Sequence, residues 1–111
     1  GALPVIVAPG AGLPPTGFTI PAARYTDQTH YLTPTGVLAS GTFTLPTAAN
    51  SRAGQMVRLW TTQNITSGTV NVSGGGTILG AAISSATITA NTPYAWQCVS
   101  TAGAGTWIRL Q

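Results

Sequence analysis

Few side chains in this sequence can perform acid–base or metal chemistry, and they are quickly enumerated. Asp27 is the sole acidic residue, His30 the sole histidine and Cys98 the sole cysteine. General acid–base catalysis, glycosidase chemistry and Ser-His-Asp triads need at least one carboxylate, usually with a histidine in register. Only Asp27 and His30 could supply them, and Asp27-Gln28-Thr29-His30 reads as a turn, where aspartate caps and histidine hydrogen-bonds. No two-carboxylate mechanism fits within one chain, so the expectation is a protein that is not an enzyme. Structural zinc takes four nitrogen or sulfur ligands at tight spacing. Asp27, His30 and a distant Cys98 do not provide that, so no metal is expected. Gly74-Gly75-Gly76 lacks the lysine and hydroxyl residue of a phosphate-binding loop. No cofactor is expected either.

The side chains left to recognise something are aromatic and cationic. Trp60, Trp96, Trp107, Tyr25, Tyr31 and Tyr94 are flat amphipathic rings. Such rings serve equally as a sugar-stacking platform, a core or an oligomer interface. Arg58 lies two residues from Trp60, and Arg109 two residues from Trp107. Tryptophan and arginine are enriched among interface hot spots, and they also pair by cation–π contact.

These residues lie on segments that read as short strands. Gln55 to Thr62 alternates most clearly: Val57, Leu59 and Thr61 share the expected core face, and Met56, Arg58 and Trp60 the opposite one. Gly68 to Val72, Ala86 to Ala90, Tyr94 to Val99 and Thr106 to Leu110 continue the series between glycine, proline and asparagine turns. Phe18-Thr19-Ile20-Pro21-Ala22-Ala23 is echoed by Phe43-Thr44-Leu45-Pro46-Thr47-Ala48. Two copies alone read as similar strand exits, not as a solenoid. The expected fold is all-β: a jelly-roll-like β-sandwich of short antiparallel strands over residues 17–111, preceded by an extended N-terminal arm over residues 1–16. In that arm Leu3, Val5, Ile6 and Val7 are apolar, and they either dock on a neighbour or close an edge of their own sheet.

Composition then constrains where such a protein works. Charged residues make up 5% of the 111 residues, against about 25% in an ordinary soluble domain. No apolar run approaches the roughly 18 residues that span a bilayer, so no membrane is expected. A protein held inside an assembly tolerates few charges, because much of its surface is never free in water. The net charge of +3 comes from scattered arginines and not from a basic stripe, so nucleic acid is not an expected partner. A basic leader is absent, so secretion is not indicated.

Leu45-Pro46-Thr47-Ala48-Ala49, Ala53 to Trp60, Gly68 to Val72 and Gly105 to Leu110 together resemble β domains of phage virion proteins. With the chain length and the apolar arm, the whole looks most like the small jelly-roll stapling (cement) proteins on the heads of epsilon15-like short-tailed phages. The resemblance implies a virion structural protein on the outer surface of the capsid. It would bind across neighbouring major capsid protein subunits as a homo-oligomer, a dimer or trimer, with no catalytic residues. The rival implied by the same cadence is a receptor- or carbohydrate-binding tip domain of a tail fibre. On physical grounds the expected capsid or oligomer contacts are Leu3, Val5, Ile6, Val7, Met56, Arg58, Trp60, Trp107 and Arg109.

Overall fold

The computed structural model describes residues 5–10, 12–22 and 24–111, with the side chains of residues 5 and 9 left out. Ten strands and one short 3-10 turn, Ala48–Asn50, make up the regular structure of those residues. The strands are β1 (Val5–Gly10), β2 (Thr19–Pro21), β3 (Gln28–Leu32), β4 (Leu38–Leu45), β5 (Met56–Thr61), β6 (Ile65–Val72), β7 (Thr77–Leu79), β8 (Ala86–Ile88), β9 (Tyr94–Ser100) and β10 (Thr106–Arg109). The absence of glutamate and lysine, the many glycines and prolines and the abundance of threonine favour this outcome.

From β1 to β6 the chain alternates between two sheets. Odd strands enter the larger sheet, ordered β1-β3-β5-β9-β10-β7, and even strands the smaller, ordered β2-β4-β6-β8. Each return lays a strand parallel beside its predecessor. The step is 23 residues from β1 to β3 (Val5 beside Gln28) and 29 from β3 to β5 (Gln28 beside Val57). In the smaller sheet it is 23 residues from β2 to β4 (Thr19 beside Thr42) and 27 from β4 to β6 (Leu38 beside Ile65). Parallel neighbours need a long crossover. Here the crossover is a strand of the facing sheet, so the chain winds as a two-sheet β-solenoid.

After β6 the winding stops. β8 runs antiparallel to β6, β9 antiparallel to β5, and β10 antiparallel to β9 and parallel to β7. The β9–β10 hairpin therefore lies between β5 and β7 at one end of the coil.

This corrects part of the expectation. The all-β class stands, but the antiparallel jelly-roll sandwich does not, because the ladders of the coil are parallel. The echo of residues 18–23 in 43–48 is also out of register. The structure sets Ile20 beside Phe43 and not beside Leu45. A slip of two residues leaves every side chain on its original face, so face alternation alone cannot distinguish the two registers. The in-register repeat is Leu38-Ala39-Ser40-Gly41-Thr42 against Ile65-Thr66-Ser67-Gly68-Thr69. Its two glycines have a steric reason. A Cβ on Gly41 would meet the Phe18 ring at 2.2 Å, and one on Gly68 would meet the Ile88 side chain at 2.4 Å. Each glycine leaves room for a large side chain from the neighbouring strand.

The core lies between the sheets. Leu32, Val57, Leu59, Trp96, Cys98 and Trp107 come from the larger sheet; Leu38, Phe43, Leu45, Ile65, Val70, Val72 and Ile88 come from the smaller. Burying side chains of this size contributes about 1.5–3 kcal/mol each.

His30 also points into this core, at 2% exposure, edge-on to Phe43 with ring centroids 6.2 Å apart. Its Nδ1 has no hydrogen-bond partner. The space beside it is about 10 Å³ and is walled mainly by aliphatic and aromatic side chains. Burial pushes its pKa down from 6.5 to about 4. The unfolded chain therefore binds the proton first as pH falls. Stability contributed by the neutral ring is complete above about pH 6.5 and is lost as pH drops toward 4. A shift of this size corresponds to about 3 kcal/mol. Urea unfolding across that window should show the decline, and His30→Leu should remove most of it. A decline of equal size in the variant would refute the assignment.

Candidate functional site

The residues that could do acid–base chemistry are employed elsewhere. Asp27 Oδ1 accepts the Met56 N–H at 2.9 Å and lies 3.9 Å from an Arg52 nitrogen. It ties the loop before β3 to the start of β5, three residues from a histidine sealed in the core. Cys98 is buried, and burial raises its thiol pKa. Among the described residues no group of three or more His, Cys, Asp and Glu side chains could hold a metal ion. No helix among them is long and apolar enough to cross a membrane.

The candidate site is instead the outer face of the larger sheet. In β5, Val57, Leu59 and Thr61 face the core and are buried, so Met56, Arg58 and Trp60 face outward. The neighbouring strands continue that face in rows set by their register. Ile6, Thr29, Arg58 and Ala95 form one row. Met56, Gln97, Ile108 and Leu79 form a second. Tyr31 lies beside Trp60 in a third. Ile6 is 63% exposed, Tyr31 41% and Leu79 52%, and Val99 of β9 is also exposed. Met56, Trp60 and Ile108 are half-buried by their neighbours. Arg58 is the only charged side chain in these rows.

Comparison with known proteins finds no matching family model, no matching curated protein and no matching solved structure. The functional reading therefore rests on the geometry of this face.

That geometry divides the residues expected to make contacts. Met56, Arg58 and Trp60 lie together on the outer face, with Ile6 at its edge. Val7 stands beside His30 on the inward side of β1. The backbone of Val5 pairs with Gln28, while Leu3 and the Val5 side chain lie outside the described residues. The segment Val5–Gly10 is thus an edge strand of its own sheet. Trp107 is 0% exposed and has no surface to offer a partner. Arg109 sits over the Tyr94 ring at 5.4 Å, and donates to Ala81 O at 2.9 Å and to Gln111 O at 3.1 Å. It pins the chain end and the loop after β7, and it pairs with Tyr94 in place of Trp107. Tyr31 was among the aromatic rings read as platform, core or interface candidates, whereas Val99, Ile108 and Leu79 were not singled out in the sequence. Only the register of β3, β7, β9 and β10 brings them beside Trp60 and Met56.

The face can exclude water against a partner. Along β5 the Arg58 guanidinium lies between Met56 and Trp60, and Tyr31 stands beside the indole. Tryptophan and arginine are among the side chains that most often anchor protein interfaces. Exposed apolar side chains gathered on one face are a feature of interaction sites.

Proposed function

We propose that this chain is a non-enzymatic virion structural protein that binds the outer surface of a capsid and staples neighbouring major capsid subunits. The supporting observation is the outward apolar face around Trp60, in a chain with almost no charge to keep that face in water. Its contact is dry and packed, with Arg58 as the orienting polar group. A symmetric dimer or trimer would present two or three such faces to adjacent subunits. Each copy that binds only the assembled shell stabilises it by RT ln(1 + [L]/Kd). Many copies then resist expansion of the shell.

The test is addition of the purified protein to empty capsids that lack it, followed by sedimentation. The expected result is saturable binding at hundreds of copies per shell. That binding should persist in high salt, because a contact with one cation per face is little screened. Protein remaining in the supernatant at every salt concentration would refute the proposal. Ile6→Ser probes the edge of the face more cleanly than removal of residues 1–12, since that deletion would also remove β1 from the sheet.

A further inference from the structure

The other outer face, that of the smaller sheet, has a different chemistry. Its inward positions carry Gly41, Phe43, Leu45, Gly68, Val70 and Val72, and the positions between them, Ser40, Thr42, Thr44, Ser67 and Thr69 with Asn71, face outward and mostly bear hydroxyls. Thr19, Thr42 and Thr69 stand in one line across β2, β4 and β6. Ser40 and Ser67 form a second line beside it. Adjacent members of a line are about 4.8 Å apart, and the two lines about 6.6 Å apart along the strands. Ser85, from the segment before β8, lies beside them, and together they line a shallow depression of about 500 Å³, wide open to solvent. Small-molecule sites occupy roughly 300–1,000 Å³.

The composition of this groove excludes most partners. No charged side chain lines it, so it offers an anion such as a phosphate or carboxylate no counter-charge. Its one large apolar residue, Phe18, is turned inward over Gly41 and packs edge-on against Phe43 at 5.8 Å. The groove therefore has no hydrophobic anchor for a protein partner. What it offers is a grid of hydroxyls that donate and accept, with threonine methyls between them. Only part of that grid is used internally. Ser40 Oγ donates to Thr16 O at 3.2 Å, and Thr69 Oγ1 accepts from the Ser85 N–H at 3.1 Å. Thr19, Thr42 and Ser67 keep hydroxyls that no other described residue engages.

We infer that this groove is a binding site for a neutral glycan. A pyranose ring presents alternating hydroxyls and C–H faces, which match a grid of hydroxyls and methyls without requiring charge. The concave floor suits a single chain of sugars lying across the strands. A single site of this kind binds weakly. Copies displayed on one particle would bind a glycan-coated surface tightly through avidity. The inference does not depend on the capsid proposal, because it concerns the opposite face of the molecule.

The test is titration of the purified protein with linear neutral tetrasaccharides built from glucose, galactose, mannose or rhamnose, followed by amide NMR. The expected result is that at least one, at millimolar concentration, shifts the amides of Thr19, Ser40, Thr42, Ser67, Thr69 and Ser85. The double variant Thr42→Val with Ser67→Ala should weaken that binding about tenfold, since each lost hydrogen bond accounts for a few-fold. Its thermal midpoint should match wild type, because neither hydroxyl is used within the fold. The inference is overturned if none of these sugars shifts the groove amides, or if the shifts map to Tyr31 and Trp60 instead. It is also overturned if the double variant binds as well as wild type.

Discussion

Replacing Trp107 with alanine should lower the free energy of unfolding by about 3–5 kcal/mol, among the largest stability effects expected of a single truncation in this chain. The indole is 0% exposed and sits on β10 between Cys98 of β9 and Ile78 of β7. It therefore fills the core where the coil gives way to the hairpin, and truncation would leave a cavity there. In thermal unfolding the loss should appear as a fall of about 10–20 °C in Tm. Trp107→Phe separates packing from hydrogen bonding. Trp107 Nε1 has no hydrogen-bond partner, so phenylalanine removes an unsatisfied donor as well as part of the ring. The phenylalanine variant should be much closer to wild type than the alanine variant. Amide exchange in Trp107→Ala should rise first in β7, β9 and β10, since contacts in a solenoid are mostly between neighbours. A cost below about 1 kcal/mol, or equal losses in the two variants, would contradict the packing role.

Trp107 and Trp60 also show what the sequence could and could not reveal. Both have an arginine two residues away, and both were expected at an interface. In β5 the inward positions are claimed by Val57 and Leu59, so strict alternation sends Trp60 outward. β10 is only four residues long, and Trp107 and Ile108 are adjacent, so alternation does not decide between them. The ladder decides it: Trp107 stands beside Cys98 on the core side. Period-two patterning states which face a residue takes, and it was legible wherever a strand was long enough to repeat. It does not state which strand lies alongside. A tight turn leads to a hairpin partner, whereas a corner that crosses to the facing sheet leads to a parallel one, and both are written with the same glycines, prolines and asparagines. The legible trace of parallel stacking was Ser-Gly-Thr at 40–42 and again at 67–69. Its glycines recur because each must admit a large side chain, Phe18 or Ile88, from the strand alongside. The stronger-looking echo between residues 18–23 and 43–48 masked it. Both faces of the molecule follow from that stacking. Tyr31 meets Trp60 across the β3–β5 ladder, and Thr19 meets Thr42 across the β2–β4 ladder.

The second large effect is expected at Trp60, and there the readout is binding and not stability. Trp60→Ala should weaken attachment to the shell by about 30-fold or more, the loss of roughly 2 kcal/mol that defines an interface hot spot. Its fold should survive, because Trp60 faces outward and is half-buried while its inward neighbours Leu59 and Thr61 stay in place. A change in Tm well below that of Trp107→Ala is therefore part of the expectation. Arg58 stands on the same strand, and across from it lies uncharged Ala95, with no ion pair to break. Arg58→Ala should accordingly cost less affinity than Trp60→Ala. Arg58→Glu should cost more than Arg58→Ala only if the facing surface is acidic or tightly packed there. Thr42→Val, on the opposite face, should leave shell binding unchanged. The pattern across these variants separates a docking face from a general loss of fold. Undiminished shell occupancy by a folded Trp60→Ala protein would remove the apolar face from the mechanism. Loss of shell binding in Thr42→Val would move the contact to the other side of the coil.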